Sequence, residues 1–252
     1  MGTLYLVRHG QASFGADDYD RLSDLGRRQS VRLGQYLRER FGAGLRFDAV
    51  LTGTLRRQIG TWHGIAEGGG FDAPPSRAGP PPEASAHPGG DADTAGRSVG
   101  AHILWPGLNE YDSHAVIAAI HPDSLPRPGT PELYRHHFRL LREGLAAWMD
   151  GRVQPVGMPS YADFRAGVVG ALDHVRKNCQ GNVLMVSSGG PIATAVAHVL
   201  HAPAATSIEL NLRIRNTALT ELAFSPTRHQ LITYNTLPHL DAPPYRDWVT
   251  HA

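Results

Sequence analysis

This sequence is defined first by what it is short of. It has a single cysteine, Cys179, so an internal disulfide is excluded and a reducing compartment fits. Its formal net charge is only +1, which gives no electrostatic reason to expect nucleic acid or an anionic membrane as partner. No stretch approaches the run of about 18 apolar residues that a membrane span needs. The N-terminus has no basic region ahead of an apolar one, and Leu6 stands where an acylation motif wants Ser or Thr. A soluble, cytoplasmic protein is the expectation. Motifs of other chemistries are missing too. No GxGxxG follows the first strand, no HExxH occurs, and the pairs His136/His137 and His198/His201 lack an adjoining carboxylate or cysteine pattern. Val186 stands two places before Ser188 where a nucleophile elbow needs Gly. No internal repeat is seen. Neither a metal nor an organic cofactor is expected.

What is present reads as one α/β domain. Of the 252 residues, 41% are hydrophobic, enough for a sizeable core. Apolar, β-branched runs predict strands at about 3–8, 47–52, 182–187, 217–224 and 230–234. Helical patterns lie between them. Ser23 starts one, with Leu25, Leu33, Leu37 and Phe41 near one face. "GTL" leads into another with Arg56, Arg57, Ile59 and Trp62. Thr130 caps a third, with Pro131 in its first turn and a stripe of Tyr134, Phe138, Leu141, Leu145 and Trp148. Ser160 and Asp163 resemble a capping box, followed by Phe164, Val168, Leu172 and Val175. A last helix follows "SGGP", with Ile192, Ala195, Val196 and Val199 inward. Strands alternating with helices predict a three-layer α/β/α sandwich around a mainly parallel sheet. Two segments stand apart in the single domain 1–252: a Gly/Pro/Ala-rich loop at 68–100, expected to be a mobile surface loop or a lid, and a helical insertion at about 113–158. The stripe around Trp148 would serve the core or a partner subunit equally well, so a homodimer is compatible.

Ligands of open parallel sheets sit beyond the carboxyl ends of the strands. Three such ends carry chemistry here: "VRHG", "LTGTLRR" and "VSSGG". Each passes through small residues into a loop or helix start, where backbone N–H groups favour anions. Arg8 and Arg57 add guanidinium groups suited to a phosphoryl dianion. His9 beside such a group could attack phosphorus, provided its ring is neutral. Glu110, in "GLNEYD", is the candidate acid for the leaving oxygen. Taken singly, each residue also fits an ordinary role: a cap at a strand end, a solvated helix face, a surface carboxylate.

Five ordered segments resemble the histidine phosphatase superfamily, also called phosphoglycerate-mutase-like. "LVRHGQA" matches its Arg-His-Gly turn, "RLSDLGRRQS" resembles "LTxxGxxQA", and "LTGTLRRQIGTW" resembles "SxLxRAxxTA", which aligns Arg57, not Arg56, with its phosphate-binding arginine. "GLNEYD" resembles its "LxE" segment and "VLMVSSGGPI" its late "vvsHGG" turn; "NTALTEL" resembles the penultimate strand. The resemblance implies a phosphoglycerate-mutase-like fold and a phosphohistidine at His9. It also implies phosphate held by Arg8 and Arg57, with Glu110 as proton donor. The late turn departs from it: Ser188 takes the place of the second histidine, leaving a hydroxyl and the backbone N–H of Gly189 to meet phosphate. Three consequences are open: Ser188 suffices, another histidine such as His114 or His121 reaches in, or the protein binds a phospho-ligand or protein without turnover. Gln11, Ala12 and Ser13 after the Arg-His-Gly turn favour hydrolysis over mutase chemistry. A small phosphorylated substrate, or inorganic phosphate, is the expected partner.

Overall fold

Residues 4 to 7 are apolar at every position and buried at every position, as a strand covered on both faces requires. Leu4 and Leu6 turn to one side, Tyr5 and Val7 to the other. This strand, β1 (Gly2–Arg8), is near the centre of a seven-stranded sheet in the computed structural model of the protein, which describes residues 1–13, 20–79, 98–121, 123 and 130–251.

The remaining elements follow in chain order. They are α1 (Asp24–Phe41), β2 (Ala49–Thr52), α2 (Arg56–Gly69), β3 (Ser76–Ala78) and β4 (His102–Leu104), then α3 (Ser113–Ala118), α4 (Pro131–Met149) and α5 (Tyr161–Asn178). β5 (Asn182–Ser187), α6 (Gly189–Val199), α7 (Thr206–Asn211), β6 (Leu219–Phe224) and β7 (His229–Thr236) complete the set, with 3₁₀ turns at Pro106–Leu108, Pro238–Leu240 and Pro243–Trp248. The sheet order is β3-β4-β2-β5-β1-β6-β7. The first five strands in that order are mutually parallel, and β6 runs against both β1 and β7.

Two cores sandwich the sheet. On one face α5 and α6 bring Val168, Leu172, Val175, Ile192 and Ala195 onto Leu4, Leu6, Leu51 and Met185. On the other, α1 and α2 bring Leu33, Leu37, Trp62 and Ile65 onto Tyr5, Val7, Val50 and Val186. The three layers are those expected. A third cluster lies off the sheet, where Val116, Leu141, Leu145 and Trp148 pack with Tyr161 and Ile208.

Caps fall where side-chain chemistry puts them. Ser23, Thr130 and Ser160 accept from the first-turn N–H groups of α1, α4 and α5. Of the two roles left open for Trp148 the structure shows the core one, since it is buried in the chain's own third cluster. Several expectations are corrected. Tyr134 and Phe41 end up exposed, each in an end turn of its helix. The 68–100 segment is not wholly loop. Phe71 is buried against Phe47, and Ser76–Ala78 pairs with β4 as an edge strand; residues 80–97 lie outside the described residues. No helix among the described residues is long and apolar enough to cross a membrane.

Candidate active site

β1 and β5 are neighbours, and their register sets Arg8 opposite Ser187. Beyond that point the two chains leave the sheet as the turns "RHG" and "SSGG". The first is held by the backbone. His9 N–H donates to the Ser187 carbonyl (2.8 Å), and Thr217 N–H donates to the Arg8 carbonyl (3.0 Å). Asn216 Nδ2 donates to the His9 carbonyl (3.1 Å), and Gly10 N–H to Thr61 Oγ1 (2.9 Å). Thr217 makes this reach with φ at 55°, a left-handed conformation that a Thr adopts only when its surroundings impose it.

The ring of His9 is almost wholly buried. Its Nδ1 lies 2.7 Å from the Gly10 carbonyl, an acceptor only, so Nδ1 carries the proton. Arg57 Nε–H points at Nε2 from 3.3 Å, which requires a lone pair there. Two independent contacts therefore specify one tautomer. Burial, then the charges of Arg8 and Arg57, hold the imidazole pKa well below its usual 6.5, outweighing the Gly10 bond. The ring is neutral at pH 7, and its one lone pair, on Nε2, faces the Arg57 guanidinium.

Arg57 is buried in the first turn of α2, whereas Arg56 beside it is exposed. Arg57 Nη1 donates to Asp20 Oδ1 (2.7 Å), and the other Asp20 oxygen accepts from Arg56 N–H (2.9 Å). Asp20 thus caps α2 from a distant segment, since the N-cap Leu55 has no side chain to do so. Arg8 Nη1 donates to the Ile214 carbonyl (2.6 Å).

Glu110 follows the 3₁₀ turn Pro106–Leu108 and reaches the start of α6. Its Oε2 accepts from Gly190 N–H (3.1 Å), and Oε1 from Tyr111 N–H (3.2 Å). A Cβ at position 190 would stand 2.3 Å from Glu110 Oε1, so only glycine admits the carboxyl. Burial raises the Glu110 pKa against the opposing pull of Gly190 N–H, Arg8 and Arg57. Both guanidinium groups thus act on the Glu110 carboxyl.

Ser188 is fully buried and is the N-cap of α6, yet its side chain caps nothing. Gln58 Nε2 donates to its Oγ (2.9 Å) and also to the Leu108 carbonyl (2.8 Å). Gly189 opens the helix beside it, and the next N–H is taken by Glu110.

His9, Arg8, Arg57, Glu110 and the Ser188 turn therefore share one end of the sheet. His114 and His121 do not join them. The His114 side chain is 91% exposed, and His121 faces the Asp123 carbonyl and the ring of His136. Among the described residues no cluster of His, Cys, Asp or Glu is arranged to hold a metal ion. Reading the sequence alone missed Asp20, Gln58, Thr61 and Asn216. For Gln58 a signal existed, because it stands where the resembled "SxLxRAxxTA" segment has alanine. Thr61 stands on that segment's threonine, whereas Asp20 and Asn216 make contacts 37 and 207 residues apart that no local pattern announces.

The family model described as histidine phosphatase superfamily (branch 1) matches residues 4–76 and 132–237. No curated protein matches the chain. Several solved structures are similar in fold. A mutant phosphoserine phosphatase from Entamoeba histolytica, in complex with phosphoserine, is 17% identical with a TM-score of 0.57, over 95% of this chain and 100% of that one. YhfR of Bacillus stearothermophilus is 16% identical with a TM-score of 0.59, over 95% and 99%. A mycobacterial glucosyl-3-phosphoglycerate phosphatase is 21% identical with a TM-score of 0.57, over 94% and 99%.

Proposed function

The chain belongs to the histidine phosphatase superfamily (branch 1), and from that membership we propose that it is a phosphomonoesterase working through a phosphohistidine at His9. The observation that carries this reading is the state of the His9 ring: neutral, Nδ1–H tied to Gly10, and Nε2 presenting its lone pair beside Arg57. An imidazole in that state is a nucleophile that needs no base to activate it.

In this reading Arg8 and Arg57 hold the phosphate dianion, and the Ser188 hydroxyl and Gly189 N–H complete the cradle. Substrate phosphate meets Arg57 already paired with Asp20, so that guanidinium is oriented before binding. Nε2 attacks phosphorus as the bond to the leaving oxygen breaks, and the Glu110 carboxyl gives that oxygen its proton. The raised pKa of Glu110 suits a group that must start protonated. The resulting carboxylate takes a proton from water, whose oxygen displaces the imidazole. Inorganic phosphate leaves, and His9 and Glu110 return to their initial states. Neither step calls for a metal or an organic cofactor.

The names of the similar structures, a phosphoserine phosphatase and a glucosyl-3-phosphoglycerate phosphatase, point to small soluble phosphomonoesters as the first substrates to screen. The test is turnover of an aryl phosphate by wild type and by His9→Ala, with rapid acid or alkaline quench of radiolabelled substrate. Wild type should form an acid-labile, base-stable phosphoenzyme, and His9→Ala should lose at least about 10³-fold in kcat. Equal turnover in the two proteins refutes the reading. Vanadate binding that is lost in Arg57→Ala, with no phosphoenzyme in wild type, would instead establish a phospho-ligand-binding module.

A further inference from the structure

Gln58 is a fully buried polar side chain one residue beyond Arg57, and nothing in the mechanism above uses it. Its carboxamide joins three elements. It rises from α2, donates to the Leu108 carbonyl two residues before Glu110, and donates to Ser188 Oγ in the β5–α6 turn. The orientation of the amide is determined by its surroundings. The Leu108 carbonyl accepts from both Gln58 Nε2 and Ser187 Oγ (2.7 Å). Exchanging the amide oxygen and nitrogen would set Oε1 against that carbonyl, acceptor against acceptor. Oε1 instead lies buried with no hydrogen-bond partner among the described residues. It faces Gly53, where a Cβ would stand 2.0 Å away. An unpaired buried acceptor is costly. It is retained here while both N–H groups of the same amide are fully used.

The consequence falls on Ser188. A hydroxyl offers one donor and two acceptor positions. Gln58 occupies an acceptor position, and among the described residues no group accepts the Ser188 hydrogen. We propose that Gln58 is a positioning residue that pins Ser188 Oγ as an acceptor, so that the Ser188 O–H is presented as a donor to the bound phosphoryl group. This rests on the phosphatase reading. It gives the uncharged turn a directed hydrogen bond, and a preorganised donor acts on the transition state without reorganisation at the moment of reaction.

The experiment is a double-mutant cycle of Gln58→Leu and Ser188→Ala, read by kcat, KM and the Kd for vanadate, with thermal melting to confirm folding. Gln58→Met and Ser188→Gly serve as second variants should either first choice fail to fold. Each single change should lower kcat about tenfold and weaken vanadate to a similar degree. The double variant should lose little more than either single one, because both remove the same hydrogen bond to phosphate. Ser188→Thr, which keeps the hydroxyl, should retain sensitivity to Gln58→Leu. Full multiplication of the two losses, or wild-type kcat in a folded Gln58→Leu protein, overturns the proposal. Should wild type bind vanadate without turnover, the phosphatase reading fails while the same cycle in vanadate Kd still decides the role of Gln58. Absence of vanadate and phosphate binding in wild type overturns both.

Discussion

The two turns that meet at the centre of the sheet are built on opposite plans. The β1 turn carries a guanidinium and an imidazole and is held mostly through its own peptide groups. His9 N–H, the Arg8 and His9 carbonyls and Gly10 N–H are all engaged. The β5 turn carries no ionisable side chain and is arranged by side chains that reach in from elsewhere. Gln58 comes from α2, and Glu110 comes from the loop after β4. The lesson is one of division of labour. Where a guanidinium and an imidazole must sit at a set angle, backbone bonds hold the turn that carries them. Where the group is a single hydroxyl, the neighbours supply its orientation.

That contrast can be broken most forcefully at Glu110, which accepts from the β5 turn and feels the charge of Arg8 in the β1 turn. Glu110→Gln keeps an acceptor for Gly190 N–H but cannot give up a proton. Hydrolysis of alkyl phosphates, whose leaving oxygen needs that proton, should fall by about 10²–10³-fold. Nitrophenyl phosphate, with a good leaving group, should fall far less. Equal losses on both substrates in steady-state assays would show that Glu110 is not the acid.

Ser188→His sharpens the comparison further by putting a charge-bearing ring into the uncharged turn. Ser188 is fully buried, with Gln58 Nε2 only 2.9 Å from its Oγ. An imidazole there must displace Gln58. We therefore expect Ser188→His alone to lower turnover, and Gln58→Ala combined with Ser188→His to exceed it by about tenfold. A gain in the single variant would mean that the turn has room to spare.

The smallest effect concerns stability and touches only the β1 turn. His239 Nε2 lies 3.0 Å from Thr217 Oγ1, behind the residue that holds Arg8 and His9. Thr217 Oγ1 already donates to the Asn216 carbonyl, so His239 Nε2 carries a proton and donates. Burial and Arg32 push its pKa down to about 3. The unfolded chain takes up a proton near pH 6.5 and the folded one does not, so stability is complete above that pH. It is lost progressively as pH falls toward the folded value. Between pH 6.5 and 5.5 the loss from this residue should be about 1 kcal/mol, measured as the difference in urea unfolding between wild type and His239→Phe. A difference that does not vary with pH would contradict a neutral buried His239.

Much of this protein could be read in one dimension. Thr3 to Val7 declared a strand buried on both faces. Ser23, Thr130 and Ser160 announced helix starts that the structure bears out. Arg57 was separated from Arg56 by the resembled motif, and the two differ in burial in that sense. Reading failed where a residue's role is set by a partner far along the chain. The edge strand Ser76–Ala78 is exposed and lacks apolar alternation, and only the presence of β4 makes it a strand. Asp20 belongs to none of the motifs, and its meaning comes from Arg57.

Sequence alone thus determined the layers, the order of the elements and the residue types available at the strand ends, because periodicity and capping are local and written within a few turns of chain. Tertiary structure decided which nitrogen of His9 carries the proton, which group donates to Ser188 Oγ, and whether Glu110 sits in water or buried against the start of α6. Those outcomes depend on burial and on hydrogen bonds between residues tens to hundreds of positions apart. A proton's location is a property of that assembled environment.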